Sequence, residues 1–131
     1  MVTSLNNQVP AREAGYEMVQ YLAARATVAA GVANRSVKMG VLPAGSIIVA
    51  FVSRVVTAVS GGTPAAGIGR STGAANELSG ALTVTAGSQF AAPATTTGGP
   101  LAVDTDVWLN VSGGATAGDV VGGVLFIKPL A

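Results

Sequence analysis

The sequence predicts a single-domain, all-β fold: an antiparallel sandwich or barrel. Three observations carry the prediction. Seven or eight short apolar segments recur along 131 residues, spaced by roughly 8 to 14 residues as in all-β sandwiches and barrels. Turn chemistry separates them, with 18 Gly and 6 Pro in the chain. Finally, β-branched residues crowd the apolar positions, and Gly or Pro falls too often for a long helix. The chain has room for one ordinary domain, which at this length buries enough surface to fold without staples. No repeat of fixed period is visible, which argues against a propeller or solenoid.

Residues 1–15 contain Asn6, Asn7, Gln8, Pro10, Arg12 and Glu13 without an apolar period. They read as an N-terminal arm, either disordered or ordered against a neighbouring subunit, and residues 16–131 as the domain. Between Glu13 and Ala30, Ala23, Ala24, Ala26, Ala29 and Ala30 raise helix propensity, but Tyr16, Met18, Gln20 and Leu22 alternate with Glu17, Val19 and Tyr21 without a 3.6-residue stripe. A strand over 19–28 is the better reading. The next runs from Arg35 to Val41, with Val37, Met39 and Val41 on one face against Ser36, Lys38 and Gly40. Leu42-Pro43-Ala44-Gly45 makes a turn, Pro43 presetting φ at the first central position.

Residues 46–59 form the strongest strand. Ile47, Val49, Phe51, Val55 and Thr57 take one face, and Ile48, Ala50, Val52, Arg54 and Val56 the other. Both faces are apolar, whereas one side of an antiparallel sandwich meets the core, so the second side implies an interface or an overlying loop. Gly61-Gly62-Thr63-Pro64 breaks the chain. Weaker strands are expected over 66–72 and 78–85, then a long connection over 86–100 that crosses between sheets, and a short strand over 101–103. From Thr105 to Val111 the pattern alternates, with Val107, Leu109 and Val111 inward and Asp106, Trp108 and Asn110 outward. A hairpin-type connection over 113–118 leads to a last strand over 119–128, with Val120, Gly122, Val124 and Phe126 on one face. Pro129 ends the ladder.

Composition excludes much chemistry. Seven Lys+Arg against six Asp+Glu give a net charge of +1, no invitation to nucleic acid or an anionic membrane. Without Cys or His there is no disulfide, thiol nucleophile, usual zinc site or Ser-His-Asp triad. Only 10% of residues are charged and 50% are hydrophobic, with 5% aromatic; a typical soluble domain has about 25% charged residues. A surface so poor in charge is poorly protected against association and reads as one meant to be covered. The longest strongly apolar stretch, 46–52, is far short of a membrane span. The first ten residues lack the basic head and apolar run of a signal peptide, so the protein is expected to stay where it is made or to leave by cell lysis.

The remaining motifs are weak. Gly67-Ile-Gly69-Arg70-Ser71-Thr72-Gly73 lacks the Gly-Lys-Ser/Thr ending of a phosphate loop, and glycine-softened strand ends account for it. Asp104 and Asp106 share a strand face, as in a calcium site, but no third ligand follows at loop spacing; a strand-entry turn in which Asp104 accepts from nearby backbone N–H groups explains it better. Glu13, Glu17, Glu77, Asp104, Asp106 and Asp119 are the only acids and form no catalytic motif. Trp108 and Tyr21 offer a sugar-stacking platform, against the plainer reading that Trp108 packs at a sheet edge or subunit interface. Asn34-Arg35-Ser36 and Asn110-Val111-Ser112 match the glycosylation pattern, which means nothing without an export signal. Arg54, in an apolar strand face, should pair with an acid or lie at an interface rim. The expectation is therefore no enzyme, no catalytic or metal-binding residues and no cofactor.

The run Val37-Lys-Met-Gly-Val-Leu-Pro-Ala-Gly-Ser-Ile-Ile, the long strand after it, the Gly/Thr-rich middle, Ala102-Val-Asp-Thr-Asp-Val and the closing Ala115-Thr-Ala-Gly-Asp-Val-Val resemble the small β-rich virion proteins of tailed bacteriophages. Over about residues 20–128 the chain is most similar to the cement (decoration) proteins of short-tailed phages. The resemblance implies a jelly roll on the outside of the head, lying across seams between major capsid subunits. It implies the major capsid protein as partner, self-association as dimers or higher oligomers, and no active site. Other readings are a tail, fibre or head-to-tail component, or a carbohydrate-binding β-sandwich.

Overall fold

The computed structural model describes residues 19–29, 34–85, 87–94 and 100–128. The expected N-terminal arm lies outside the described residues. Eight strands run β1 (Val19–Val28), β2 (Arg35–Leu42), β3 (Ile47–Ser60), β4 (Ala65–Gly69), β5 (Ala81–Leu82), β6 (Gly87–Ala91), β7 (Thr105–Ser112) and β8 (Ala117–Ile127). They form two four-stranded sheets of order β1-β8-β3-β6 and β2-β7-β4-β5, and all pairings are antiparallel. Strands 1 and 8, 2 and 7, 3 and 6, and 4 and 5 occupy corresponding places. This is the arrangement obtained by rolling one long hairpin ribbon into a sandwich, the eight-stranded jelly roll.

Inward side chains of both sheets make one core. Phe51, Leu42, Ile68, Leu109, Val107, Val111, Val120 and Val124 are its largest fully buried strand residues, joined by Leu78 from a loop. The expected inward set of β7 stands: Val107, Leu109 and Val111 are wholly buried; of the two faces of β8, that of Val120, Gly122, Val124 and Phe126 is the inward one.

Two bulges correct the faces expected for β2 and β3. The register of β2 against β7 slips between Lys38 and Gly40. Met39 is therefore buried but Val41 is turned outward, and Leu42 replaces it in the core. In β3 the register slips between Ile48 and Ala50. Ile48 thus points inward while Ile47 and Val49 are exposed, and beyond the bulge Phe51, Ser53 and Val55 point inward. One extra residue exchanges the two faces of a strand.

Five elements also differ from expectation. The turn after β2 closes one residue later than expected: Ser46 N–H donates to Pro43 C=O at 3.1 Å, with Gly45 at φ 87°. Ala44 and Gly45 are then the central residues, and the positive φ at the second explains the glycine. No strand forms over 101–103, although Leu101 exchanges two backbone hydrogen bonds with Gly45 and Ser46 (2.7 and 2.9 Å). The strand expected over 66–72 ends at Gly69, and that over 78–85 shrinks to Ala81–Leu82. In the expected long connection over 86–100 lies β6, Gly87–Ala91.

Candidate functional site

The outer faces of the two sheets differ. The registers of the first sheet place outward residues in rows across β1, β8, β3 and β6. The rows are Val19, Ile127 and Ile47; then Tyr21, Leu125 and Ala50; then Ala23, Gly123, Val52 and Phe90. All are apolar or aromatic, and none is buried under another part of the described chain apart from Gly123. Phe90 is 76% exposed, Val19 55% and Tyr21 54%. Tyr21 lies over the gap left by Gly123, where an added Cβ would overlap its ring. This is a diagonal cross-strand pair that covers bare backbone.

A polar row borders this patch. Arg25, Val121, Arg54 and Ser88 stand side by side, followed by Thr27, Asp119 and Thr57. Asp119 is buried. It accepts from Arg25 Nε at 2.9 and 3.0 Å and from Arg25 Nη2, and from the Thr27 hydroxyl at 3.2 Å. The Arg25 hydrogen bond holds its carboxyl below the usual carboxylate range. Burial opposes this, and the Arg25 charge, the Thr27 hydroxyl and the Arg54 charge add to it. Arg54 is exposed, and among the described residues it makes no ion pair or hydrogen bond of its own.

Loop 70–80 roofs the outer face of the second sheet over β4 and the adjoining part of β7, while Val41 on β2 stays exposed. Gly67 and Gly69 of β4 let the loop close down: a Cβ on Gly69 would fall 2.6 Å from Ala75 C and O, and one on Gly67 would overlap Asn76 Cβ. Asn110, 1% exposed, donates from Nδ2 to Ser71 C=O (2.8 Å) and Ala75 C=O (2.7 Å). Arg70 N–H donates to Glu77 Oε1 at 2.8 Å, and Gly73 N–H to the Ser36 hydroxyl at 3.1 Å. The Gly67–Gly73 motif therefore seats a loop against a sheet. Asn110, flagged only as part of a glycosylation pattern, is the loop's internal anchor.

The other candidate residues are dispersed or engaged. Asp104 Oδ1 accepts from Ala44 N–H at 2.8 Å, so it braces the turn after β2 and not its own strand entry. Asp106 pairs with Lys38 Nζ at 3.3 Å. The two border a cleft of about 400 Å³ with Val41, Arg70 and residues 101–103. Glu77 lies in the loop over the second sheet, while Glu13 and Glu17 lie outside the described residues. Trp108 stands on β7, an inner strand and not a sheet edge, between Lys38 and Gly69. Lys38 Nζ is 6.0 Å from its ring centroid. Because Trp108 is on the outside of the second sheet and Tyr21 on the outside of the first, the expected sugar platform does not assemble. Asn34 has φ 98°, and its Oδ1 accepts from Gly114 N–H at 3.0 Å.

The geometry defines the class: an all-β, jelly-roll sandwich with one partly roofed face and one bare apolar face. No protein-family model and no curated protein sequence matches the chain. Among solved structures it is similar to a chain from the capsid of Ralstonia phage GP4, with TM-score 0.61 and 20% identity over 87% of this chain and 86% of that one. It is also similar to a chain from the capsid asymmetric unit of cyanophage Pam1, with TM-score 0.54 and 24% identity over 86% and 84%. The paired coverages are nearly equal, so the fold is shared by whole chains of closely similar length.

Proposed function

We propose that this protein is a non-enzymatic structural component of a bacteriophage virion, a cement or decoration protein on the outside of the head that stabilises contacts between major capsid subunits. The observation that carries this reading is the bare apolar face of the first sheet. A lone soluble domain has no use for Val19, Tyr21, Ile47 and Phe90 standing together in solvent, whereas a subunit that is covered on assembly does. The shared fold with chains from two phage capsids supports the same reading.

Attachment is by area and not by chemistry. The apolar rows span about 14 Å along the strands and about 14 Å across them. With side-chain margins this is roughly 400 Å², below the roughly 800 Å² per partner of a stable isolated complex. Each copy therefore binds weakly through this face alone, and two devices supply the rest. Residues 1–15 act as an arm reaching a neighbouring subunit, and symmetry repeats the contact at every equivalent seam. The major capsid protein is the partner, with self-association as a second contact and no role for nucleic acid or membrane. The protein is made in the host cytoplasm and ends on the capsid exterior.

The test is copy number per purified virion, by quantitative mass spectrometry against the major capsid protein. Hundreds of copies in simple ratio to the shell protein are expected. About a dozen would move the protein to the tail or connector, and none would overturn the proposal.

A further inference from the structure

Resting on that reading, we infer which face meets the shell and what the shell must present: the outer face of β1-β8-β3-β6 docks on an apolar surface of the major capsid protein that carries a carboxylate opposite Arg54. The second sheet, partly roofed by loop 70–80, then faces away.

Charge bookkeeping on the face selects this occupant. Among the described residues Asp119 is the only acid there, and it is already held by Arg25 and Thr27. Glu77 lies in the loop over the second sheet, Asp104 at the turn after β2, and Asp106 on β7 of the second sheet. Arg54 stands beside the apolar rows without an ion pair, and the one described acid whose charge acts with it, Asp119, is already held by Arg25 and Thr27. Covering it without a partner would strand a desolvated guanidinium, which is costly. A second copy docked by the same face does not solve the problem, because an isologous contact brings only the same groups. Among the described residues, two copies together bring four guanidinium groups and two carboxylates to the contact, and each carboxylate is already held by its own Arg25. A surface that supplies its own carboxylate removes the deficit, and Arg suits it because its planar fork binds a carboxylate through two parallel hydrogen bonds.

The experiment measures occupancy of purified capsids lacking this protein, titrated with the full chain and with variants. Arg54→Glu and Phe90→Ser change exposed side chains, and Arg70→Glu makes the same charge reversal on the roofed side. Melting curves accompany each variant, so that loss of folding is separated from loss of binding. The expected result is at least tenfold weaker occupancy for Arg54→Glu and for Phe90→Ser at unchanged melting temperature, with Arg70→Glu binding as the parent does. Raising salt should weaken the parent more than Arg54→Gln. If the parent occupies capsids and Arg70→Glu alone fails, the docking face is the other sheet and this inference falls while the decoration reading stands. If the face variants change the chain's own oligomer mass by light scattering and leave capsid occupancy intact, the face joins copies of this chain and the inference is again overturned. A parent chain that does not bind capsids removes both.

Discussion

Gly122→Ala and Gly123→Ala, made one at a time, place the same methyl group on opposite faces of β8. Neither glycine has a positive φ, so alanine fits both backbones, and each substitution gains about 0.4–1 kcal/mol by restricting the unfolded chain. The new contacts differ. On Gly122 the methyl carbon falls 2.7 Å from Leu109 Cδ1 and 3.2 Å from Cδ2, and Leu109 is wholly buried between the sheets. Overpacking of this kind costs about 1–3 kcal/mol, leaving a net loss of about 0.5–2.5 kcal/mol. On Gly123 the methyl displaces the Tyr21 ring, but Tyr21 is 54% exposed and swings into solvent, so the net change stays within about 0.5 kcal/mol. For a domain of this length 1 kcal/mol moves Tm by roughly 3–6 °C. Thermal melts followed by circular dichroism should therefore put Gly122→Ala roughly 2–15 °C below the parent and Gly123→Ala within roughly 3 °C of it. If Gly123→Ala melts as low as Gly122→Ala, the assignment of inner and outer faces to β8 is wrong.

Other substitutions probe the roof, the core and the polar row. Asn110→Ala removes the two hydrogen bonds to Ser71 and Ala75 C=O and leaves those acceptors without their partner. It should cost about 2–4 kcal/mol and make loop 70–80 the first site of limited proteolysis. Ser53→Ala replaces a fully buried hydroxyl with no hydrogen-bond partner, so Tm should stay level or rise by a few degrees. Asp119 is depressed in the folded state by Arg25. The stability it contributes is present above the ordinary carboxylate pKa and is lost as pH falls through the lower folded value. Asp119→Asn should thus melt below the parent at pH 7, and the gap should close below about pH 4. Because Asp104 and Asp106 are engaged by Ala44 N–H and Lys38, a chelator should leave Tm unchanged, as thermal melts with and without it will test.

Legibility in the sequence followed the strength of local signals. Strand β7 was readable because its polar/apolar alternation runs unbroken, β1 because no 3.6-residue stripe competes, and β8 and the apolar second side of residues 46–59 because both parities are hydrophobic. The faces of β2 and β3 were misassigned at Val41 and at Ile47, Ile48 and Val49, since a bulge inserts a residue without altering the local apolar content. Strand β6 escaped because Gly87-Ser-Gln-Phe-Ala91 carries one large apolar side chain; it exists through its pairing with β3 and not through propensity. The Arg25–Asp119 pair joins residues 94 apart in sequence, and no local pattern announces it. Gly67 and Gly69 were noticed as glycines, but only the tertiary fold reveals that Ala75 and Asn76 close onto them.

The two sheet faces also explain the low charge of the chain. Loop 70–80, two glycines of β4 and the buried amide of Asn110 together roof β4 and the adjoining part of β7 in the second sheet, so this fold has the means to cover part of a sheet with its own residues. Among the described residues nothing equivalent covers the first sheet, where Phe90, Val19 and Tyr21 remain exposed. Charges would protect that face from association in a free monomer. Among the described residues only Arg25, Arg54 and Asp119 stand on it, and all three lie along one border. A face left apolar at its centre and charged at one edge has the layout of an interface core and rim. On the proposed docking, its small area calls for many weak, repeated contacts in place of one tight one, a regime in which a neutral surface is an asset and Arg54 would set the register.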